Sequence, residues 1–113
     1  MKKYLFLFRG GDMSGYSPEE LQKNMEAWTT WLKGLAEKGI LAAGDPLEKE
    51  GQVIAGRKKV VTDGPFAESK ELVGGYLIVN AQSLSEATEI AKGCPINDSD
   101  GSTEIREIRP LNM

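Results

Sequence analysis

The chain has 113 residues and a mass of 12.3 kDa, a length suited to one domain, 1–113, with a single core. Its net charge of −3 and pI of about 5.0 remove the basic surface that phosphate-backbone binding requires, so nucleic acid is not expected as a direct partner. With no His and a single Cys94, the chain cannot build an intrachain disulfide, the usual zinc ligand sets or an imidazole-based triad, and a reduced, cytoplasmic setting without metal or cofactor is expected.

In chain order, Met1-Lys2-Lys3 followed by Tyr4-Leu5-Phe6-Leu7-Phe8 imitates a secretory leader, but the short apolar run ended by Arg9 falls below an h-region and reads as a first strand. No stretch approaches the roughly 18 apolar residues of a membrane span. Gly10 to Tyr16 is a flexible loop that matches neither glycine-rich phosphate motif, and Glu19 and Glu20 behind it would repel a phosphate. Ser17-Pro18-Glu19-Glu20 opens a helix with a cap, a proline in the first turn and a capping-box Glu. Leu21, Met25, Trp28, Leu32 and Leu35, with Trp31 beside them, form an apolar stripe that is expected to be buried, and Gly39 stops the helix.

Ile40 to Ala43 reads as a strand turned by Gly44-Asp45-Pro46, and Gln52 to Ala55 with Lys58 to Val61 as a hairpin around Gly56-Arg57. Val61 to Glu71 reads as a defined loop, and Leu72 to Val79 as the next strand. Ser83-Leu84-Ser85-Glu86 supplies a second capping box, with Leu84, Ala87, Ile90, Ala91 and Cys94 lining a short helix ended by Gly93 and Pro95. Asn97 to Gly101 is a polar loop. With Asp12 it resembles part of a calcium loop but lacks the bidentate Glu, so a solvated turn is the expectation. The last strand is Thr103 to Arg109, where Ile105 and Ile108 break strict alternation and point to a bulge or an edge position.

The order β-α-β-(hairpin)-β-α-β is that of the α+β, ferredoxin-like split βαβ with an inserted hairpin, an antiparallel sheet with both helices on one face. Tyr4 to Phe8 and Tyr76 to Val79 are continuously apolar, as strands are when both faces are covered. No helix is left for the second face, so a homodimer packing sheet to sheet is expected.

Candidate chemistry centres on Asp63-Gly64-Pro65-Phe66. Asp63 accepts backbone N–H groups just after it, Gly64 allows a conformation closed to other residues, and Pro65 fixes φ. The same residues also make a structural corner, which is the first reading of Asp63. As a site, Asp63 would move a proton with Tyr76 as partner, which requires a carboxyl pKa raised by burial. Tyr76 follows Gly74-Gly75, where bare backbone admits a ligand, a partner chain or a ring. Trp28 and Phe66 would line the pocket, and Arg9 or Arg57 would hold an anionic group. For Trp28, helix packing is the default. Cys94 at a helix C-terminus is a core residue, not a nucleophile.

Val61 to Glu71 followed by Gly74-Gly75-Tyr76 resembles the DGPF signature of the YCII-related proteins, within the dimeric alpha-beta barrel superfamily. Ser17-Pro18-Glu19-Glu20-Leu21, Gly39 to Pro46, Cys94-Pro95 and Glu107-Ile108-Arg109-Pro110 extend the likeness over nearly the whole chain. The resemblance implies a dimer with a pocket near its interface. It also implies a His-Asp acid-base pair in the broader group, but those positions fall here at or near Trp28 and at Cys94, so a dehydrochlorinase-like mechanism on that pair is not supported. The resemblance also implies a link to transcription, since some members of the DGPF branch are fused or adjacent to sigma-factor-like proteins. Two functions follow as expectations. The first is a small-molecule-binding protein for an anionic or aromatic ligand, lyase- or isomerase-like through a carboxylate. The second is a non-enzymatic interaction dimer that meets a transcription-factor partner through Glu68, Lys70 and Glu71.

Overall fold

The computed structural model describes residues 1–11, 13–64 and 71–111. The elements are β1 (Lys2–Arg9), α1 (Pro18–Glu37), β2 (Leu41–Pro46), β3 (Gly51–Ala55), β4 (Val60–Gly64), β5 (Val73–Ala81), α2 (Leu84–Ala91), a 3-10 helix (Pro95–Ser99) and β6 (Ser102–Glu107). A four-stranded sheet runs in the order β2-β5-β1-β6, and β3 and β4 form a separate two-stranded sheet. All its neighbours are antiparallel, which is the expected ferredoxin-like arrangement with an inserted hairpin.

The helix starts follow from their caps. Ser17 accepts from the Glu20 backbone N–H at 3.1 Å while Glu20 accepts from the Ser17 N–H at 3.2 Å, a reciprocal box that satisfies two otherwise orphaned donors. At α2, Ser83 accepts from the Glu86 N–H at 3.1 Å, but the Glu86 carboxylate takes the N–H of Gln82 at 3.3 Å, so this box closes one residue early. Gly39, at φ +71°, ends α1 in the left-handed conformation.

The core lies between the helices and one sheet face. Tyr4, Phe6 and Phe8 of β1 and Leu77, Val79 and Ala81 of β5 meet Leu35, Ala87, Ala91, Cys94 and Ile96. Gly44 lets β2 approach β5, because a Cβ there would run into the Leu77 side chain and lie 2.7 Å from the Tyr76 carbonyl oxygen.

Several expectations are corrected. Val61 to Gly64 continue a strand, with Asp63 opposite Gln52, so the connection to β5 starts only after Gly64. The hairpin turn is four residues, Gly56 to Lys59, with the Lys59 N–H donating to the Gly56 carbonyl at 3.1 Å. The α1 stripe is buried only in its C-terminal part: Leu35 is enclosed, while Leu21 is 42% and Met25 69% exposed. Leu84 is also exposed, because it begins α2 beyond the edge of the core. Asn97 and Asp98 belong to a 3-10 helix whose cap, Asp100, is left-handed at φ 60°. β6 is an edge strand, as one of the two readings had it, and it keeps regular register with β1. Ile108 falls past its end, where its N–H donates to the Lys3 carbonyl at 2.9 Å.

Candidate functional site

Side chains directly opposite in an antiparallel sheet share a face. Tyr4, Phe6 and Phe8 face the helices, so Leu5, Leu7 and Arg9 face the other way. Register then places Asp45 beside Tyr76, Tyr76 beside Leu7 and Leu7 beside Glu104. This is one row across all four strands. The next row is Ala43, Ile78, Leu5 and Arg106. Leu5, Leu7, Tyr76 and Ile78 are half-buried although no helix among the described residues covers them. The open sheet face is thus an apolar floor with a polar rim.

The rim is organised by ion pairs and one phenol. The Tyr76 hydroxyl donates to Asp45 Oδ2 across a long 3.4 Å. Arg9 Nη1 donates to Glu104 Oε1 at 2.7 Å, and Arg106 Nη1 lies 3.9 Å from Glu104 Oε2. A flat ligand on Leu5, Leu7 and Ile78 would therefore meet donors from Arg9 and Tyr76 and acceptors from Asp45 and Glu104. Such a rim can orient a hydroxyl or carboxylate and pass a proton between ligand and side chain.

The residues singled out from the sequence divide into groups. Arg9 and Tyr76 share the open face, although Arg9 already holds Glu104 and is no isolated anion receptor. Trp28 lies on the opposite side of the sheet, edge-on to Phe8 with ring centroids 5.3 Å apart and likewise edge-on to Trp31 at 5.8 Å. It packs helix to sheet. Asp63 and Arg57 belong to the separate hairpin, both exposed, Arg57 in its turn. Gly64 ends β4, and Pro65 and Phe66 lie outside the described residues, as do Asp12, Glu68 and Lys70. Gly75 is pressed against β2, where a Cβ would sit 3.2 Å from the Asp45 carbonyl oxygen, while Gly74 faces open space. Trp31 abuts Gly93 through its Nε1.

Sequence patterning does not single out Asp45 and Glu104. Asp45 reads as part of a turn because Gly44 and Pro46 flank it. Glu104 carried a usable signal, since Glu104 and Arg106 alternate with Thr103 and Ile105. Cys94 caps the 3-10 helix and is buried. Burial pushes its thiol up to about 12; a backbone hydrogen bond at Ile96 opposes the rise and Asp98 adds to it. This thiol is no nucleophile at neutral pH. Among the described residues, no group of three or more His, Cys, Asp or Glu could hold a metal ion, and no helix is long and apolar enough to cross a membrane.

Comparison with known proteins adds three findings. A family model described as YCII-related domain matches residues 3–112. An uncharacterized protein, R00369, of Rhizobium meliloti (strain 1021) is 40% identical over 54 residues, which is 48% of this chain and 42% of the relative; the match thus spans under half of that protein's length. The structure of 5-chloro-2-hydroxyhydroquinone dehydrochlorinase (TftG) from Burkholderia phenoliruptrix AC1100, in complex with 2,5-dihydroxybenzoquinone, is similar with a TM-score of 0.50 and 17% identity, covering 95% of this chain and 93% of that one. At that identity the likeness is one of fold.

Proposed function

The chain belongs to the YCII-related family, and from that premise we propose that it is a small-molecule-binding protein whose open sheet face takes a planar, hydroxylated or carboxylated ring. The row Asp45, Tyr76, Leu7 and Glu104, with Arg9 on Glu104, carries this reading. The ring lies on Leu5, Leu7 and Ile78. Arg9 and the Tyr76 hydroxyl donate to its oxygens, and Asp45, which accepts from Tyr76, orients the phenol. In the lyase- or isomerase-like version a carboxylate rather than a His-Asp pair moves the proton, with Asp45 at the site and Asp63 of the DGPF-type segment as the competing candidate. Trp28 supports the sheet from behind, and Arg57 and Gly64 stay outside the first contacts of the ring.

The same face pairs with a second copy in our reading, which puts the ligand at a homodimer interface. Half-buried Leu5, Leu7 and Ile78 supply the apolar surface for it.

A thermal-shift series tests the ligand assignment, because a ligand that binds only the folded state raises the melting temperature by mass action. The probes are hydroxybenzoates, hydroquinones and 2,5-dihydroxybenzoquinone, the last being the compound held by the dehydrochlorinase of similar fold. Wild type and Asp63→Asn should both gain stability with at least one probe, and Tyr76→Phe and Arg9→Ala should lose the gain. A shift lost only in Asp63→Asn would move the site to the hairpin. No shift in any protein would sink the ligand reading and favour the interaction dimer, which draws its support from the exposed hairpin.

A further inference from the structure

The β3–β4 arm has two apolar faces, and both stay largely exposed among the described residues. Its cross-strand pairs put Val53 and Thr62 with Ala55 and Val60 on one face, and Ile54 and Val61 with Gln52 and Asp63 on the other. Val53 is 38%, Ile54 68%, Val60 53% and Val61 53% exposed. An isolated two-stranded hairpin is marginal in water, and a ribbon this apolar gains its order by docking. Its turn carries three successive cations, Arg57, Lys58 and Lys59, and the strands add only Asp63.

A surface with the opposite charge lies on the first half of α1. Pro18, Leu21, Met25 and Thr29 make an open, largely apolar face of the helix. Leu21 and Met25 are the members of the α1 stripe that the chain's own core leaves exposed. Glu26 borders that surface, and the same half of the helix carries Glu19 and Glu20 against one cation, Lys23. Glu19 and Glu20 stand in the first turn of α1, where a helix N-terminus stabilises carboxylates.

We propose that the β3–β4 arm of one copy docks on the N-terminal half of α1 of a second copy, its Val53/Val60 face on Leu21 and Met25 and its cationic turn on Glu19, Glu20 and Glu26. The Val53/Val60 face is the one free of Asp63, whose carboxylate would be repelled by Glu26. The contact goes beyond the ligand reading and uses no residue of the open sheet face, so either can fail without the other.

The test is zero-length carbodiimide cross-linking of a 1:1 mixture of unlabelled and 15N-labelled chains that were refolded together, followed by peptide mass spectrometry. Links from Lys58 or Lys59 to Glu19, Glu20 or Glu26 should appear, about half of them joining a labelled to an unlabelled peptide, as random pairing requires. Met25→Glu and Val60→Glu, both at exposed positions, should remove these links while leaving the circular dichroism spectrum unchanged. Links confined to peptides of one isotope would mean that the arm lies on its own helix. That result overturns the proposal, as do the absence of arm-to-α1 links and links that survive both variants.

Discussion

Small environments decide the behaviour of individual residues more than residue type does. Cys94 is buried, as its place at a helix C-terminus leads one to expect, and burial pushes its thiol up to about 12. An unfolded chain ionises the same thiol near the ordinary value of about 8.5. The folded state's preference for the protonated form is therefore fully present below that pH and is lost as the pH rises towards 12. Alkylation by iodoacetamide at pH 8 should accordingly be at least tenfold slower in the native protein than in denaturant; equal rates would show that the thiol is accessible. Thr103 faces the helices opposite Phe8, with its hydroxyl buried and without a hydrogen-bond partner among the described residues. Removing such a hydroxyl while keeping its shape is neutral or stabilising. Thr103→Val should leave the denaturation midpoint unchanged or raise it, and a clear loss would reveal an unseen partner. The paired glycines separate in the same way. Gly75→Ala forces a methyl group against the β2 backbone and should cost about 1–3 kcal/mol, as overpacking does, whereas Gly74→Ala meets open space and should be nearly silent in chemical denaturation.

At the scale of elements, caps are local and surfaces are not. The α1 start is legible because Ser17 and Glu20 are three residues apart and need nothing else to close their box. Ser17→Ala should lower stability by about 1 kcal/mol, measured by urea denaturation, with little effect on any ligand. The DGPF-type segment reads differently in sequence and in structure for a related reason. Asp, Gly and Pro are turn-formers in isolation, but Asp63 and Gly64 find partners in Gln52 and Gly51, and ladder pairing overrides their turn preference. Strand alternation was informative where one face is covered: in β6 it separates the half-buried Thr103 and Ile105 from the exposed Glu104 and Arg106. It was uninformative in β1, whose continuous apolar run hides the division between Phe6 and Leu7.

For the whole molecule, the fold covers one side of its sheet and leaves the other as a floor of Leu5, Leu7, Tyr76 and Ile78. If that floor pairs two copies, Leu7→Glu buries a charge at the contact, and sedimentation equilibrium at micromolar concentration should change from dimer to monomer. A wild-type monomer under the same conditions would remove the pairing. The thin outline of the Cα trace, 46 × 45 × 19 Å, fits a two-layer domain that carries a lateral arm. The element order, both helix starts, the inserted hairpin and the core strands were determined by the sequence by itself, because caps and hydrophobic periodicity act within a few residues along the chain. Only the tertiary structure decided that Asp45, Tyr76, Leu7 and Glu104 stand in one row, that Trp28 lies behind the sheet and that Asp63 lies on an arm. Those relations depend on strand order and register, which join residues from Leu7 to Glu104 that no local pattern connects.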